Sequence, residues 1–261
     1  GDCAPADPEI FPGAPELCNG IDDDCNGFAD DNCPGVDLRS ETVRMEAGPS
    51  LLGSEEADAV ACLADPRVDE NCDEVPLRNI SLNAFSMDVH EVTNRQYAAC
   101  MDAGRCTPPS QREAFDDPMR GDFPVTWLNQ IQASIYCQWT LGYLPSEAQW
   151  ERAARGNTPL ELRRFPWGND APAPCVDANL GACPGGITAV ESFQGDRTDT
   201  GISDLIGNVH EMVDGWYDPL YYRRAPDSNP RGADRPGGMS LIPVRGGSYA
   251  ERASFATITY R

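Results

Sequence analysis

A run of oxygen-bearing residues near the start of the chain has a composition and spacing suited to a metal ion. Every second residue offers a carboxylate or amide oxygen, and Gly27 follows the third of them. Oxygens at alternate positions can converge on one cation, and a glycine permits the sharp turn that calcium loops need. The predicted calcium ligands are Asp22, Asp24, Asn26, the carbonyl of Phe28, and Asp30 or Asp31.

This loop begins like a calcium loop of the EF-hand type but ends differently. The twelfth position is Cys33, so the bidentate glutamate of an EF-hand is absent. The run resembles short Cys-Asn-Gly-x-Asp-Asp-Asp-Cys-Asp-Gly repeats of secreted bacterial proteins. A disulfide-tied acidic linker without a fixed ion is the alternative. Residues 1–36 have too few aliphatic side chains for a core, so we predict a separate module tied by disulfides or metal.

Eleven cysteines are too many for an ordinary reduced protein of this size, and they indicate an oxidising compartment. Sequence alone does not fix their connectivity. Cys137 lies among apolar residues, and we expect it to be a buried structural thiol. Local spacing suggests the pairs Cys18–Cys25, Cys3–Cys33, Cys62–Cys72, Cys100–Cys106 and Cys175–Cys183.

The charge excludes several classes of function. The formal net charge is −22, and all 20 basic residues are arginine. Such a chain should repel nucleic acid and anionic membranes, and without lysine it cannot form a Schiff base or a Walker-type phosphate site. No apolar run approaches the roughly 18 residues of a membrane span, and no signal peptide is visible. The acidity reflects either solubility, including a salty habitat, or cation binding.

Capping signals predict three helices. Thr93 with Gln96 forms a capping box that should begin a helix ending near Gly104. Ser146 with Gln149 forms another, and Gly156 should end that helix. Between them a helix should open at residues 124–127. Four apolar residues would line one of its faces, namely Trp127, Ile131, Ile135 and Trp139.

Two strands are predicted before these helices. The segment from Val43 to Gly48, with the turn at Leu52-Gly53-Ser54, resembles the opening strand and the turn that follows it in the formylglycine-generating-enzyme family. The segment from Ile80 to Met87 alternates apolar and polar residues, which is typical of one strand. Residues 55–74 between them are acidic and are expected to be a loop insertion.

Several ordered motifs resemble those of the formylglycine-generating-enzyme, or sulfatase-modifying-factor, family. They are Glu91-Val92-Thr93-Asn94, the segment from Leu144 to Gly156, Gly207-Asn208-Val209-His210-Glu211 and Arg245-Gly246-Gly247-Ser248-Tyr249. The resemblance covers residues 37–261 and implies an α+β fold of the C-type-lectin-like kind with long loops. The family normally continues beyond Arg261, so either the natural chain extends further or a partner supplies a closing strand.

The resemblance carries expectations about metals. It implies an inner calcium site built from Asp204 and Glu211 carboxylates and the carbonyls of Gly207 and Val209. An outer calcium site near Asn179 is matched only in its first half. Two cysteines that bind copper in the family correspond to Glu251 and Ala256, and neither can supply a thiolate to Cu(I).

We therefore expect a secreted, non-catalytic, calcium-stabilised binding or assembly protein, located outside the cell, at its surface or in the periplasm. Its partner would be a protein or glycan, or another copy in self-assembly. Aromatic residues of the second half form either a binding face or part of the core, namely Trp167, Trp216, Tyr217, Tyr221 and Tyr222. The alternatives are a structural subunit of an extracellular filament or surface layer, and an enzyme with divergent peptide- or cofactor-modifying chemistry. The two histidines, His90 and His210, are expected to be polar loop residues because an iron site would need three.

Overall fold

The computed structural model describes residues 10–14, 25, 40–55, 73–173, 175–181, 183, 185–237 and 240–261. The chain divides into two compact units. The first comprises residues 1–40 and 92–142, and the second residues 41–91 and 143–261. The predicted module at residues 1–36 lies almost entirely outside the described residues and stays a prediction.

Short antiparallel strand pairs frame the second unit. The sequence predicted one strand from Ile80 to Met87, but the structure breaks it at Asn83 and Ala84 because its two halves pair with different strands. In the described residues the pairs are β1 (Thr42–Met45) with β4 (Phe85–Asp88), β2 (Gly48–Leu52) with β3 (Arg78–Leu82), and β5 (Glu211–Met212) with β6 (Val244–Arg245).

The described residues of the first unit contain two α-helices, and the capping box of the first is confirmed. Helix α1 (Asn94–Asp102) begins after Thr93, whose side chain accepts from Gln96 N while the Gln96 side chain accepts from Thr93 N. The helix ends at Ala103, followed by Gly104 with a φ of +67°. Local residue chemistry therefore fixes both ends of α1.

The start predicted for the second helix is wrong. Helix α2 (Gln130–Trp139) begins after Asn129, which forms a capping box with Gln132. Trp127 precedes the helix with a φ of 60°, outside the helical region. Part of the predicted face points outward, since Ile131 is 73% exposed, whereas Trp139 packs against the aromatic cluster in which Tyr136 is buried with Tyr97.

Helix α3 (Glu147–Ala154) of the second unit follows the prediction. Ser146 and Gln149 form its capping box, and Gly156 follows the helix with a φ of +57°. Trp150 is fully buried among the main apolar cluster of this unit. None of the described helices has the length and hydropathy of a membrane span.

A buried ion-pair network joins α3 to distant loops of the second unit. Glu151 contacts Arg155 and Arg245, and Glu147 contacts Arg245 and Arg261, with all five side chains at most 2% exposed. The Arg261 Nε donates to Glu147 Oε2 over 2.5 Å and Nη2 donates to Oε1 over 2.8 Å. Each of the two glutamates pairs with two arginines, so the network fixes the helix relative to loops about a hundred residues away.

Two predicted disulfides are confirmed. Cys100 pairs with Cys106 and Cys175 with Cys183, with Cα–Cα distances of 5.3 and 5.5 Å. Cys25 is also disulfide-bonded. Cys137 keeps its thiol and is half-buried against the Tyr97 cluster, so it is more accessible than expected. The other predicted cysteines, Cys3, Cys18, Cys33, Cys62 and Cys72, lie outside the described residues.

Candidate functional site

In the loop from Asp204 to Glu211, Gly207 adopts a left-handed backbone conformation and lies close to a neighbouring segment of the chain. Gly207 has a φ of +89°, and a Cβ added there would lie 2.3 Å from the Asn179 carbonyl oxygen. Gly207 N donates to Gly246 O over 2.8 Å, and Asn208 N donates to Asn179 O over 3.0 Å. A side chain at position 207 would push these segments apart, so glycine is required.

Glu91 clamps this loop from far away in the sequence. Its Oε2 accepts from Asn208 Nδ2 over 2.7 Å, and its Oε1 accepts from Val209 N over 3.1 Å. Asn208 Oδ1 accepts in turn from Asn179 Nδ2 and Thr188 N. The sequence analysis placed Glu91 in a family motif without predicting any contact with this loop. Its role was missed because its contacts lie more than a hundred residues away.

Two further buried carboxylates, one at the start of this loop and one outside it, accept hydrogen bonds from backbone N–H groups. Asp204 Oδ2 accepts from Glu191 N over 2.6 Å, while Asp196 Oδ2 accepts from Ile206 N over 3.3 Å. The other oxygen of Asp196, Oδ1, is buried without a hydrogen-bond partner among the described residues. Asp196 was not predicted as a site residue, and no sequence signal distinguished it from the other acidic residues.

Burial raises the pKa of every carboxyl group in this cluster, and repulsion from a neighbouring carboxylate adds to the effect of burial. Burial raises the pKa of Glu211 to about 8, with added repulsion from Asp204, and that of Asp204 to about 6. Burial, then Asp204, raises the pKa of Glu91 and of Asp196 well above the usual range. The Glu211 residue keeps some solvent exposure, although protein atoms surround its carboxyl group closely. We call Glu91, Asp196, Asp204 and Glu211 the carboxylate cluster.

The carboxylate cluster fits a hard cation in its chemistry. Raised pKa values and an unpartnered buried oxygen mean that negative charge here lacks compensation, which a divalent ion would supply. In the described part of the chain, however, no three His, Cys, Asp or Glu side chains are arranged to hold one metal ion together. A cation here would therefore need backbone carbonyls in addition to carboxylates, as the Gly207 and Val209 prediction supposes.

Asn179, the residue near which the outer calcium site was predicted, has a buried side-chain amide. Asn179 is 1% exposed, and its Nδ2 donates to Gly186 O over 3.0 Å. Its Oδ1 has no hydrogen-bond partner among the described residues. The structure brings Asn179 next to the 204–211 loop through Asn208.

The side chains of Glu251 and Ala256 both lie next to Gly247. A Cβ placed on Gly247 would lie 2.7 Å from Ala256 Cβ and 3.1 Å from Glu251 Oε2. Ala256 is fully buried in an apolar cluster with Leu180 and Ile206. Glu251 Oε2 accepts from Ser248 N over 3.1 Å, and Oε1 lies 3.4 Å from His210 Nε2. Neither an acid nor a methyl group supplies a thiolate to Cu(I), so the two positions predicted to correspond to the family's copper-binding cysteines offer no sulfur.

Three of the five aromatic residues considered for a binding face belong to the core. Tyr221 and Tyr222 are buried, and Trp216 packs against the main core cluster. The guanidinium of Arg261 lies over the rings of Tyr222 and Tyr217, at 4.3 and 5.4 Å from their centroids. The rings of Tyr222 and Tyr217 therefore flank the ion-pair network of α3.

The first predicted metal loop cannot be placed. Its ligands Asp22, Asp24, Asn26, Phe28, Asp30 and Asp31 lie outside the described residues. The second predicted ligand set, Asp204, Gly207, Val209 and Glu211, lies within the described residues of the second unit, and its role in binding calcium stays a prediction.

Known proteins and family models resemble both the N-terminal residues and the larger domain that follows them. The formylglycine-generating enzyme of Bos taurus is 26% identical over 246 residues, covering 73% of this chain and 63% of that protein. A Bos taurus protein named inactive C-alpha-formylglycine-generating enzyme 2 is 33% identical over 144 residues, covering 52% of this chain and 44% of that protein. The chain thus spans less than two thirds of the length of either relative.

The fold has solved counterparts. PvdO from Pseudomonas aeruginosa matches with a TM-score of 0.62 and 20% identity, covering 86% of this chain and 88% of that one. A model of a metal-binding motif of the MopE type matches residues 2–31. The sulfatase-modifying factor enzyme 1-like domain matches residues 34–261. The chain belongs to this sulfatase-modifying-factor, or formylglycine-generating-enzyme-like, family.

Proposed function

We propose that the chain is a secreted, non-catalytic binding or assembly protein on a formylglycine-generating-enzyme-like scaffold stabilised by calcium. The observation that carries the loss of oxidase chemistry is the pair Glu251 and Ala256. Ala256 fills an apolar cluster, and Glu251 is engaged with Ser248 N. An inactive relative at 33% identity supports the idea that this scaffold persists without catalysis.

Calcium at the 204–211 loop is supported by the carboxylate cluster. Asp204 and Glu211 would supply carboxylate oxygens, while Gly207 and Val209 would supply carbonyl oxygens. The ion would neutralise side chains that otherwise repel one another. Glu91, both of whose oxygens accept N–H donors, would orient the loop without touching the ion.

The N-terminal residues support a secreted location and a second ion. The matched model is named for copper, whereas the oxygen ligands of residues 22–31 favour calcium. Disulfides at Cys100–Cys106 and Cys175–Cys183 suit an oxidising compartment. Titration with each metal separately would decide which ion this module prefers.

The loss of oxidase chemistry is tested by a copper assay with a restored thiol pair. Wild-type protein and the Glu251→Cys/Ala256→Cys variant are loaded with Cu(I) and incubated with a cysteine-containing peptide under oxygen. We expect no Cu(I) retention at this loop and no peptide oxidation by the wild type, whereas the variant gains Cu(I) binding. Copper-dependent oxidation by the wild type would overturn the proposal.

A further inference from the structure

We propose that the outward face of α2 is the surface through which two copies of this chain associate. The proposal rests on the binding or assembly function above and names a second copy as the partner. The outward face comprises Ile131 and Ile135 on the helix, with Trp127 and Leu141 at its two ends.

Three large apolar side chains of this face are exposed to solvent. Ile131 is 73% exposed, Leu141 is 88% exposed and Trp127 is 57% exposed. Ile135 lies one helical turn from Ile131 on the same side and is half-buried. Grouped exposure of this kind marks interaction surfaces more often than isolated apolar residues do.

The backbone at both ends of α2 is held in an unfavourable conformation. Trp127 has a φ of 60° and Leu141 a φ of 67°, values that bulky residues seldom adopt. The Trp127 carbonyl accepts from Ser110 N and Oγ, and Leu141 N donates to Gln138 O. Local hydrogen bonds therefore maintain conformations that keep two large apolar side chains in solvent. Strain that persists at one surface is a sign of function.

The charge distribution selects a second copy as the partner. No residue from Phe123 to Gly142 carries a charge, although the net charge of the chain is −22. Two copies repel each other over most of their surfaces. A two-fold contact places the same patch on itself, so a contact through residues 123–142 brings together no charged side chain of this segment. A basic partner would instead bind the acidic surface elsewhere.

The size of the face predicts weak association. A helix of ten residues is about 15 Å long, whereas a stable interface buries about 800 Å² on each partner. The segments carrying Trp127 and Leu141 must therefore contribute, and we expect a dimer with a dissociation constant of about 10–100 µM.

The test is sedimentation of the full chain at several salt concentrations. Because repulsion between acidic copies opposes an apolar contact, raising NaCl from about 0.05 to about 0.5 M should strengthen dimerisation. Ile131→Glu should abolish the dimer while leaving the circular dichroism spectrum unchanged. The matched control is Met119→Glu, since Met119 is 84% exposed in the same unit but flanked by Asp117 and Arg120.

Three results would overturn the proposal: a monomer at all salts up to about 500 µM protein, a dimer that weakens with salt, or a dimer unaffected by Ile131→Glu. Binding of another protein to a strictly monomeric chain through α2 would also refute the second copy as partner. Copper and calcium measurements do not depend on the oligomeric state, so failure of this inference and failure of the proposed function are distinguishable.

Discussion

Glu251 and Ala256 of the second unit are the side chains that, by the resemblance, correspond to the family's copper-binding cysteines. Ala256 packs against apolar neighbours, and Glu251 accepts a backbone N–H and approaches His210. Next to them, carboxyl groups with raised pKa values surround the loop that contains Gly207. The retained negative charge, together with the loss of thiols, favours a structural cation over a redox metal.

The first prediction concerns Asp204. Asp204→Asn removes a charged ligand, so we expect the rise in thermal midpoint on adding calcium to shrink strongly. In the wild type, calcium at about 100 times its dissociation constant should add about 2.7 kcal/mol. Differential scanning calorimetry with and without calcium measures both. Asp170→Asn, at an exposed position of the same unit, should retain the full increment. Equal increments in both variants would remove Asp204 from the site.

The second prediction concerns Glu91. Glu91→Gln keeps the shape but leaves one amide N–H₂ facing either Asn208 Nδ2 or Val209 N, which both donate. An unsatisfied buried polar group costs about 1–3 kcal/mol, so the free energy of unfolding should fall by that amount. Urea denaturation measures it, with the exposed Glu113→Gln as the control. An unchanged midpoint would show that Glu91 does not clamp the loop.

At the scale of elements, α3 holds the second unit together through charge as well as apolar packing. Trp150 is buried on one side of the helix, and Glu147 and Glu151 meet three buried arginines. The Arg245 guanidinium also lies 5.1 Å from the centre of the Trp150 ring. Replacing one member leaves an uncompensated buried charge, which costs more than the pair itself contributes.

The third prediction uses the pH dependence of Glu147. Burial acts to raise its pKa, but Arg261 and Arg245 outweigh burial and leave the pKa lowered. A carboxyl group with a lowered folded pKa stabilises the protein above its unfolded pKa, and this contribution is lost as the pH falls through the folded value. We therefore expect stability to decline below about pH 4.3.

Glu147→Gln should remove part of this acid sensitivity and cost about 3–5 kcal/mol at neutral pH. Chemical denaturation from neutral to acidic pH measures both effects, and Glu113→Gln again serves as the exposed control. If Glu147→Gln left the acid slope unchanged, the ion pairs with Arg261 and Arg245 would not govern the stability of α3.

At the scale of the whole chain, local signals were predictable and distant contacts were not. The capping boxes at Thr93 and Ser146 were predicted because every interacting group lies within four residues. The start of α2 was misplaced because the Asn129 capping box was overlooked beside an apolar period that began at Trp127. The break at Asn83 depends on strand partners that adjacent sequence does not reveal.

In the candidate site, too, residues close in sequence were predictable and contacts between distant residues were not. Asp204, Gly207, Val209 and Glu211 could be named because they share one loop and one family motif. Glu91 was missed as a loop clamp because it contacts that loop from more than a hundred residues away. Likewise, the pairing of Arg261 with Glu147 spans 114 residues and carries no local pattern.

The central claim is that calcium, and no redox copper, supports this scaffold. The most direct test is metal analysis of the purified full chain, with the thermal midpoint recorded before and after chelation. We predict bound calcium, no stoichiometric copper, and a midpoint that falls by several degrees on chelation and recovers when calcium is restored. Stoichiometric copper, or a calcium-free protein whose midpoint is insensitive to chelation, would contradict the account.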